Sequence, residues 1–253
     1  MIAFVRTEFC LFLSAVQFLT RLPVPGLFAF DHAWLDRSVK YFPLAGVVVG
    51  GISAAVLLAA SLVWSGPLPA LLAVAAGVAA TGAFHEDGFA DFFDAMGGST
   101  KEKRLAIMTD SRLGTFGVVA TVLNLGVKVF ALAALPVPVA AAALVAIHAG
   151  GRLAVIAAMP VLPYAKPVEA GKMKPAGHSV TARGLTVAAV FGLAPLALLP
   201  VSLALAGLAA GVAAVLFMGW RAKRLIGGYT GDVLGAFEQS FELAFLLALA
   251  ACV

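Results

Sequence analysis

The chain has 253 residues, 62% of them hydrophobic and only 12% charged, with a mean hydropathy of +1.03, whereas soluble domains carry about 25% charge. This balance excludes an ordinary cytosolic enzyme and a disordered chain, and the recurrence of apolar stretches excludes a solitary membrane anchor. The net charge of +4 is no sign of nucleic acid, because the Lys and Arg residues fall between the apolar stretches instead of forming a patch.

Continuous Ala-, Leu- and Val-rich runs without ten-residue alternation disfavour a β-barrel. The expected fold is therefore all-α: one polytopic integral membrane domain over residues 1–253, embedded in the lipid bilayer. At the N-terminus Arg6 precedes FCLFLSAVQFLT, but Glu8 lies within the segment and no small-x-small cleavage site follows, so it is read as retained. Residues 9–20 form one more span or a helix in the interface, stopped by the two prolines of TRLPVPG.

A spanning helix needs about 20 apolar residues. Seven stretches qualify or nearly do: 42–64, 67–84, 114–135, 137–160, 185–199, 201–220 and 234–252, the fifth being short. The turns near 65–66, 136–138 and Pro200 carry no Lys or Arg. The longer connections carry Arg21, Arg37 and Lys40; Lys101, Lys103, Arg104 and Arg112; Lys166, Lys172, Lys174 and Arg183; and Arg221, Lys223 and Arg224. By the positive-inside rule all these loops are cytoplasmic, which gives three hairpins and a final helix with the chemistry on the cytoplasmic face. Gly46 and Gly50 have small-xxx-small spacing, a pattern expected by chance in so Ala-rich a chain. Cys10 and Cys252 lack any ligand spacing and are read as packing residues.

Five acidic residues lie between Glu86 and Glu102. Asp87, Asp91 and Asp94 are spaced i, i+4, i+7, which puts them on a narrow arc of one helix. Three carboxylates so close repel one another unless a hard cation such as Mg²⁺ compensates; the plainer alternative is a solvated polar face. Ser99 and Glu102 form a capping-box pattern that predicts a short helix over 100–110. Its end delivers Asp110 and Arg112, and Gly114 and Gly117 then let backbone approach a bound group. An Arg fork matches two phosphate oxygens, so a carboxylate–metal face beside it suits transfer to or from a diphosphate.

A second polar cluster, GGYTGDVLGAFEQSFE, leads into the last span, with Asp232 at a helix start where it is also a good N-cap. Within the spans stand Lys128, His148, Arg152 and Glu242. Such residues face the bundle interior or a cavity. For Lys128, Arg152 and Glu242 function and structural pairing or snorkelling are both open; for His148 structural pairing or snorkelling is favoured.

FLTRLPVP at 18–25, YFPLAGVVVGGI at 41–52, GAFHEDGFADFFDA at 82–95, RLAIMTDSRLGTFG at 104–117 and GDVLGAFEQSFELAFLLAL at 231–249 resemble the bacterial and archaeal cobalamin synthase family. The motifs keep their order along nearly the whole chain, while 136–210 carries little beyond Arg152 and Tyr164. The resemblance implies adenosylcobinamide-GDP ribazoletransferase activity: adenosylcobinamide-GDP and α-ribazole, or its 5′-phosphate, give adenosylcobalamin, or its 5′-phosphate, and GMP. It implies Mg²⁺ and the cell membrane, a late step in vitamin B12 assembly, no nucleic-acid partner, and admits a homo-oligomer.

In that reading Asp87, Asp91 and Asp94 hold the metal. Arg112, Gly114, Lys128, Arg152, Asp232 and Glu242 contact substrate. His85 or Asp110 takes the ribose hydroxyl proton, His85 alternatively orienting Asp87 and Asp110 alternatively completing the metal shell. CDP-alcohol phosphatidyltransferases also use spaced aspartates, but after Asp87-Gly88 the chain reads Phe-Ala-Asp without their Ala-Arg. A cation or solute transporter would place its acids at the bilayer midplane, not in one loop. The orientation is testable: cysteines placed at Ser99 or Lys172 should resist an impermeant thiol reagent on intact cells, and efficient labelling would reverse it.

Overall fold

A computed structural model describes residues 2–24, 32–165 and 180–253, and every extended element among them is a helix. They are α1 (Ile2–Leu19), α2 (His32–Ser38), α3 (Phe42–Ser61), α4 (Leu68–Thr81), α5 (Phe84–Ala95), α6 (Lys101–Ile107), α7 (Thr115–Ala134), α8 (Val137–Ala158), α9 (Ala182–Leu193), α10 (Val201–Ile226) and α11 (Gly231–Ala250). The loop cations Lys166, Lys172 and Lys174 lie outside the described residues.

Five helices are long and apolar enough to cross a bilayer: Trp34–Ser61 taken as one, Thr115–Ala134, Val137–Ala158, Val201–Ile226 and Gly231–Ala250. The protein is thus an all-α polytopic membrane bundle. Fewer full spans form than the seven expected. The stretch 185–199 becomes α9 followed by a 3₁₀ turn at Ala194–Leu198, where Pro195 has no N–H to continue the α-helical ladder. The stretch 67–84 stops at Thr81, and α4 and α5 together make a sixth candidate broken by a 92° bend. At 14 residues α4 is about 21 Å long, short of a hydrocarbon core of about 30 Å. In the opposite direction, α10 runs on to Ile226, so Arg221, Lys223 and Arg224 extend a helix and do not sit in a loop.

The helix α1 is not among the five long spans and carries Arg6 and Glu8 in its otherwise apolar first half. Leu11, Ala15, Val16 and Leu19 are buried, Phe4, Val5 and Phe9 are exposed, and Glu8 bonds Lys40 at 2.6 Å and the Tyr41 hydroxyl at 2.7 Å. Cys10 packs as expected, whereas Cys252 is exposed beyond the end of α11.

Helices α3 and α8 meet through the small residues. A β-carbon on Gly46 or Gly50 would overlap the α8 backbone at His148 or at Leu144–Val145. Behind this contact Leu144, Ile147, Phe241, Phe245 and Leu249 fill the core between α8 and α11. Around the outside, Phe130, Leu205 and Leu216 are 69%, 62% and 69% exposed, which in water would invite aggregation and in a bilayer is lipid contact.

Candidate active site

The acidic motif is aimed by a backbone turn. Gly82 and Ala83 are both left-handed, with φ of 68° and 59°. Gly82 has no Cβ to object, whereas Ala83 holds about 1–3 kcal/mol of strain. This turn throws α5 across the end of α4. Helix α5 then seats against the start of α11: a β-carbon on Gly88 would strike the backbone of Asp232, and one on Gly235 would press on the His85 carbonyl. The close approach brings Asp232 against the helix that carries Asp87 and Asp91. Phe89 and Phe92 are buried beneath, Asp91 and Asp94 are half-buried, and Asp87 is exposed.

Asp94 has a partner that the sequence reading missed. Its two carboxylate oxygens accept the backbone N–H groups of Gly114 at 2.7 Å and Gly117 at 2.8 Å, so it caps the N-terminus of α7 from another helix. The glycines expected to admit a bound group admit this carboxylate: a β-carbon at either would collide with it. Two other caps also differ from expectation. Thr100, not Ser99, caps α6, which spans Lys101–Ile107, and Thr230 caps α11, leaving Asp232 inside the first turn with its Oδ2 accepting from the Thr230 hydroxyl at 3.1 Å.

Asp110 and Arg112 lie on the loop between α6 and α7. The guanidinium Nε and Nη2 donate to the Asp110 carboxylate, the shortest contact being 2.6 Å. Arg112 holds the Asp110 carboxyl down at about 2. His85 is 5% exposed, and its Nδ1 lies 3.8 Å from Glu238 Oε1, too far for a hydrogen bond.

Lys128 and Glu242 are not at this face. Glu242 is ten residues along α11 from Asp232, about 15 Å deeper. There Lys128 Nζ donates to Glu242 Oε2 and Gln239 Oε1, both at 2.6 Å, and His148 Nδ1 lies 2.6 Å from Glu242 Oε1. One turn nearer the site, Arg152 Nη1 donates to Glu238 Oε1 at 2.8 Å and to the His148 carbonyl at 2.9 Å. Gln239 Nε2 reaches back to Glu86 Oε1 at 3.0 Å, and Asn124 donates to Gln239 Oε1. Structural pairing thus accounts for Lys128 and Glu242, while Arg152 is paired on one nitrogen only. The sequence reading passed over Glu86, Glu238 and Gln239. The available signal was the i, i+4 pair Glu238 and Glu242 inside an apolar helix.

Among the described residues one group of three or more His, Cys, Asp or Glu side chains brings ligand atoms within 4.8 Å of one another: His148, Glu238 and Glu242. Lys128 and Arg152 already neutralise its two carboxylates. The aspartates of α5 share a face without converging to that distance.

Fold and site together define an integral-membrane protein with an acidic face at the end of its bundle, backed by a buried ionic network. A model of the cobalamin-5-phosphate synthase family matches residues 11–250. The adenosylcobinamide-GDP ribazoletransferase of Leptothrix cholodnii is 42% identical over 94% of this chain and 93% of its own. Those of Ralstonia nicotianae and Bradyrhizobium diazoefficiens are 39% and 41% identical, each over 94% of this chain. No solved structure matches. The chain belongs to the cobalamin-5-phosphate synthase family.

The network makes a direct prediction. Lys128→Met leaves Glu242 short of its buried counter-charge and should destabilise the detergent-solubilised protein by about 3–5 kcal/mol. Adding Glu242→Leu should recover much of that loss in thermal unfolding, and additive losses would show that the pair is not coupled.

Proposed function

We propose that the protein joins adenosylcobinamide-GDP to α-ribazole, or its 5′-phosphate, and releases GMP at the cytoplasmic face of the inner membrane. The printed activity of relatives aligned over 94% of the chain supports this reading. The observation that carries it is the α5 aspartate face, pinned to α11 at Gly88 and to α7 through Asp94. In the reaction a ribose hydroxyl oxygen bonds to the phosphorus attached to the corrinoid. The bridging P–O bond breaks, GMP leaves with the electron pair, and the hydroxyl proton passes to a base.

The donor set suits a hard cation: oxygen ligands on one helical face, with a second helix start pressed against it. Asp87 and Asp91 would hold Mg²⁺ beside Asp232. Asp94, each of whose oxygens accepts one backbone N–H, fixes the start of α7 beside that face. When bound, the ion neutralises diphosphate oxygens. Arg112 keeps Nη1 for a phosphate oxygen while Nε and Nη2 stay on Asp110. A carboxylate held at about 2 is a weak base near neutral pH. Asp110 is committed to the Arg112 guanidinium, so the proton is assigned to His85, on the first turn of α5, and the orientation of Arg112 to Asp110.

Asp91→Asn keeps shape and removes charge, so it should lower GMP release by at least about a hundredfold with unchanged elution in detergent. His85→Gln should lower kcat by a similar factor and Asp110→Asn by much less. Wild-type turnover in Asp91→Asn would refute the metal face, and a larger loss in Asp110→Asn than in His85→Gln would reverse the base assignment.

A further inference from the structure

A cavity of about 300 Å³ lies beside the first turn of α5 and is not part of the acidic face. Phe18, Phe42 and Phe84 form one wall, and Val155, Met159 and Leu234 help to close it. The Phe18 and Phe42 rings stack at 5.7 Å, and Phe84 meets Phe18 edge-on at 5.4 Å. Phe84 in turn meets the His85 ring edge-on at 5.2 Å.

The polar side chains that line this space are His85, Arg152 and Tyr164. Arg152 is 1% exposed, and its Nε and Nη2 have no hydrogen-bond partner among the described residues. A buried donor without a partner costs about 1–3 kcal/mol, more when charged, so native interiors rarely leave one. An aromatic wall beside such a donor is built for a flat apolar ring that carries an acceptor atom.

Size and polarity narrow the occupant. About 300 Å³ is at the small end of ligand pockets, enough for a heterocycle or nucleoside and far too small for a corrin ring. Guanine could turn its carbonyl to Arg152, but it would also bury a ring N–H and an exocyclic amine against mostly apolar walls, each donor costly without a partner. The base of α-ribazole is bicyclic, aromatic and free of exocyclic amino and carbonyl groups.

We propose that this cavity seats the base of the nucleoside acceptor, puts its ribose hydroxyl at His85, and rejects the guanine of the donor. The assignment rests on the transferase reading above and locates the acceptor relative to the acidic face. His85 belongs to both: it lines the cavity and lies two residues before Asp87 on α5. Phe42, Phe84 and Val155 then determine acceptor specificity, while the donor diphosphate is held by the aspartates and Arg112.

The test uses the full chain in lipid nanodiscs. In equilibrium dialysis without donor, the wild type should retain α-ribazole and not guanosine; equal retention of both, or of neither, overturns the assignment. Val155→Phe fills the cavity and should raise KM for α-ribazole at least about tenfold while KM for adenosylcobinamide-GDP is unchanged. Phe42→Leu, which removes part of the wall without crowding, should shift the same constant in the same direction. Normal GMP release with unaltered acceptor KM in both variants refutes the cavity alone. Absence of GMP release from the wild type with both substrates refutes the transferase reading, and the cavity assignment with it.

Discussion

A charge buried in an apolar bundle must be neutralised where it stands, and in this protein one helix meets that requirement. Within five residues, α11 presents Glu238, Gln239 and Glu242, all about 1% exposed. Glu242 faces Lys128 of α7, Glu238 faces Arg152 of α8, and Gln239 faces Lys128, Asn124 and Glu86. Lipid tails are as apolar as the helix faces they touch, so the hydrophobic effect alone does little to choose helix neighbours. Ion pairs and close glycine contacts supply the choice. Removing either member of a buried pair strands the other, so the network fixes register more than it adds stability.

The same helix fixes the reactive end. Helix α5 follows a bend that breaks its continuity with α4 and has only 12 residues, too few to be stable alone. It is held by the Gly88–Asp232 contact, by the Gln239–Glu86 hydrogen bond and by the Asp94 cap on α7. Two helices, α7 and α11, thereby determine where Asp87 and Asp91 stand. This arrangement suits a reaction that relies on positioned charge, because donors and carboxylates fixed in advance need no reorganisation as charge develops. The loop after α8 is tied to the same end, where Tyr229 N–H donates to the Pro163 carbonyl at 2.9 Å and Ala165 N–H to the Tyr229 carbonyl at 2.8 Å.

Composition and run length were enough to read the all-α bundle and its last helix, because spans depend on local apolarity, but two of the three expected hairpins lack a second full span. The i, i+4, i+7 aspartates were legible because helical periodicity is local too. The lengths of α4 and α9 were not: Ala- and Leu-rich sequence continues through their ends, and the left-handed pair Gly82–Ala83 is a backbone choice that an Ala does not announce. Asp94 as a cap for α7 was also out of reach, since donor and acceptor are 20 and 23 residues apart. Gly114 and Gly117 are sites of close approach as the sequence suggested, and the group that approaches them is the Asp94 carboxylate. Lys128 and Glu242 were recognised as exceptional, but their pairing spans 114 residues and becomes visible only when α7 meets α11.

The network of α11 holds the aspartate helix in place. Hydrogen–deuterium exchange of the membrane-embedded Gln239→Leu variant is the test, since this change cuts the bond to Glu86, along with those from Lys128 and Asn124, and keeps the Lys128–Glu242 ion pair. Amide exchange should quicken across residues 84–95 and stay unchanged in α10. Wild-type protection throughout 84–95 would contradict it.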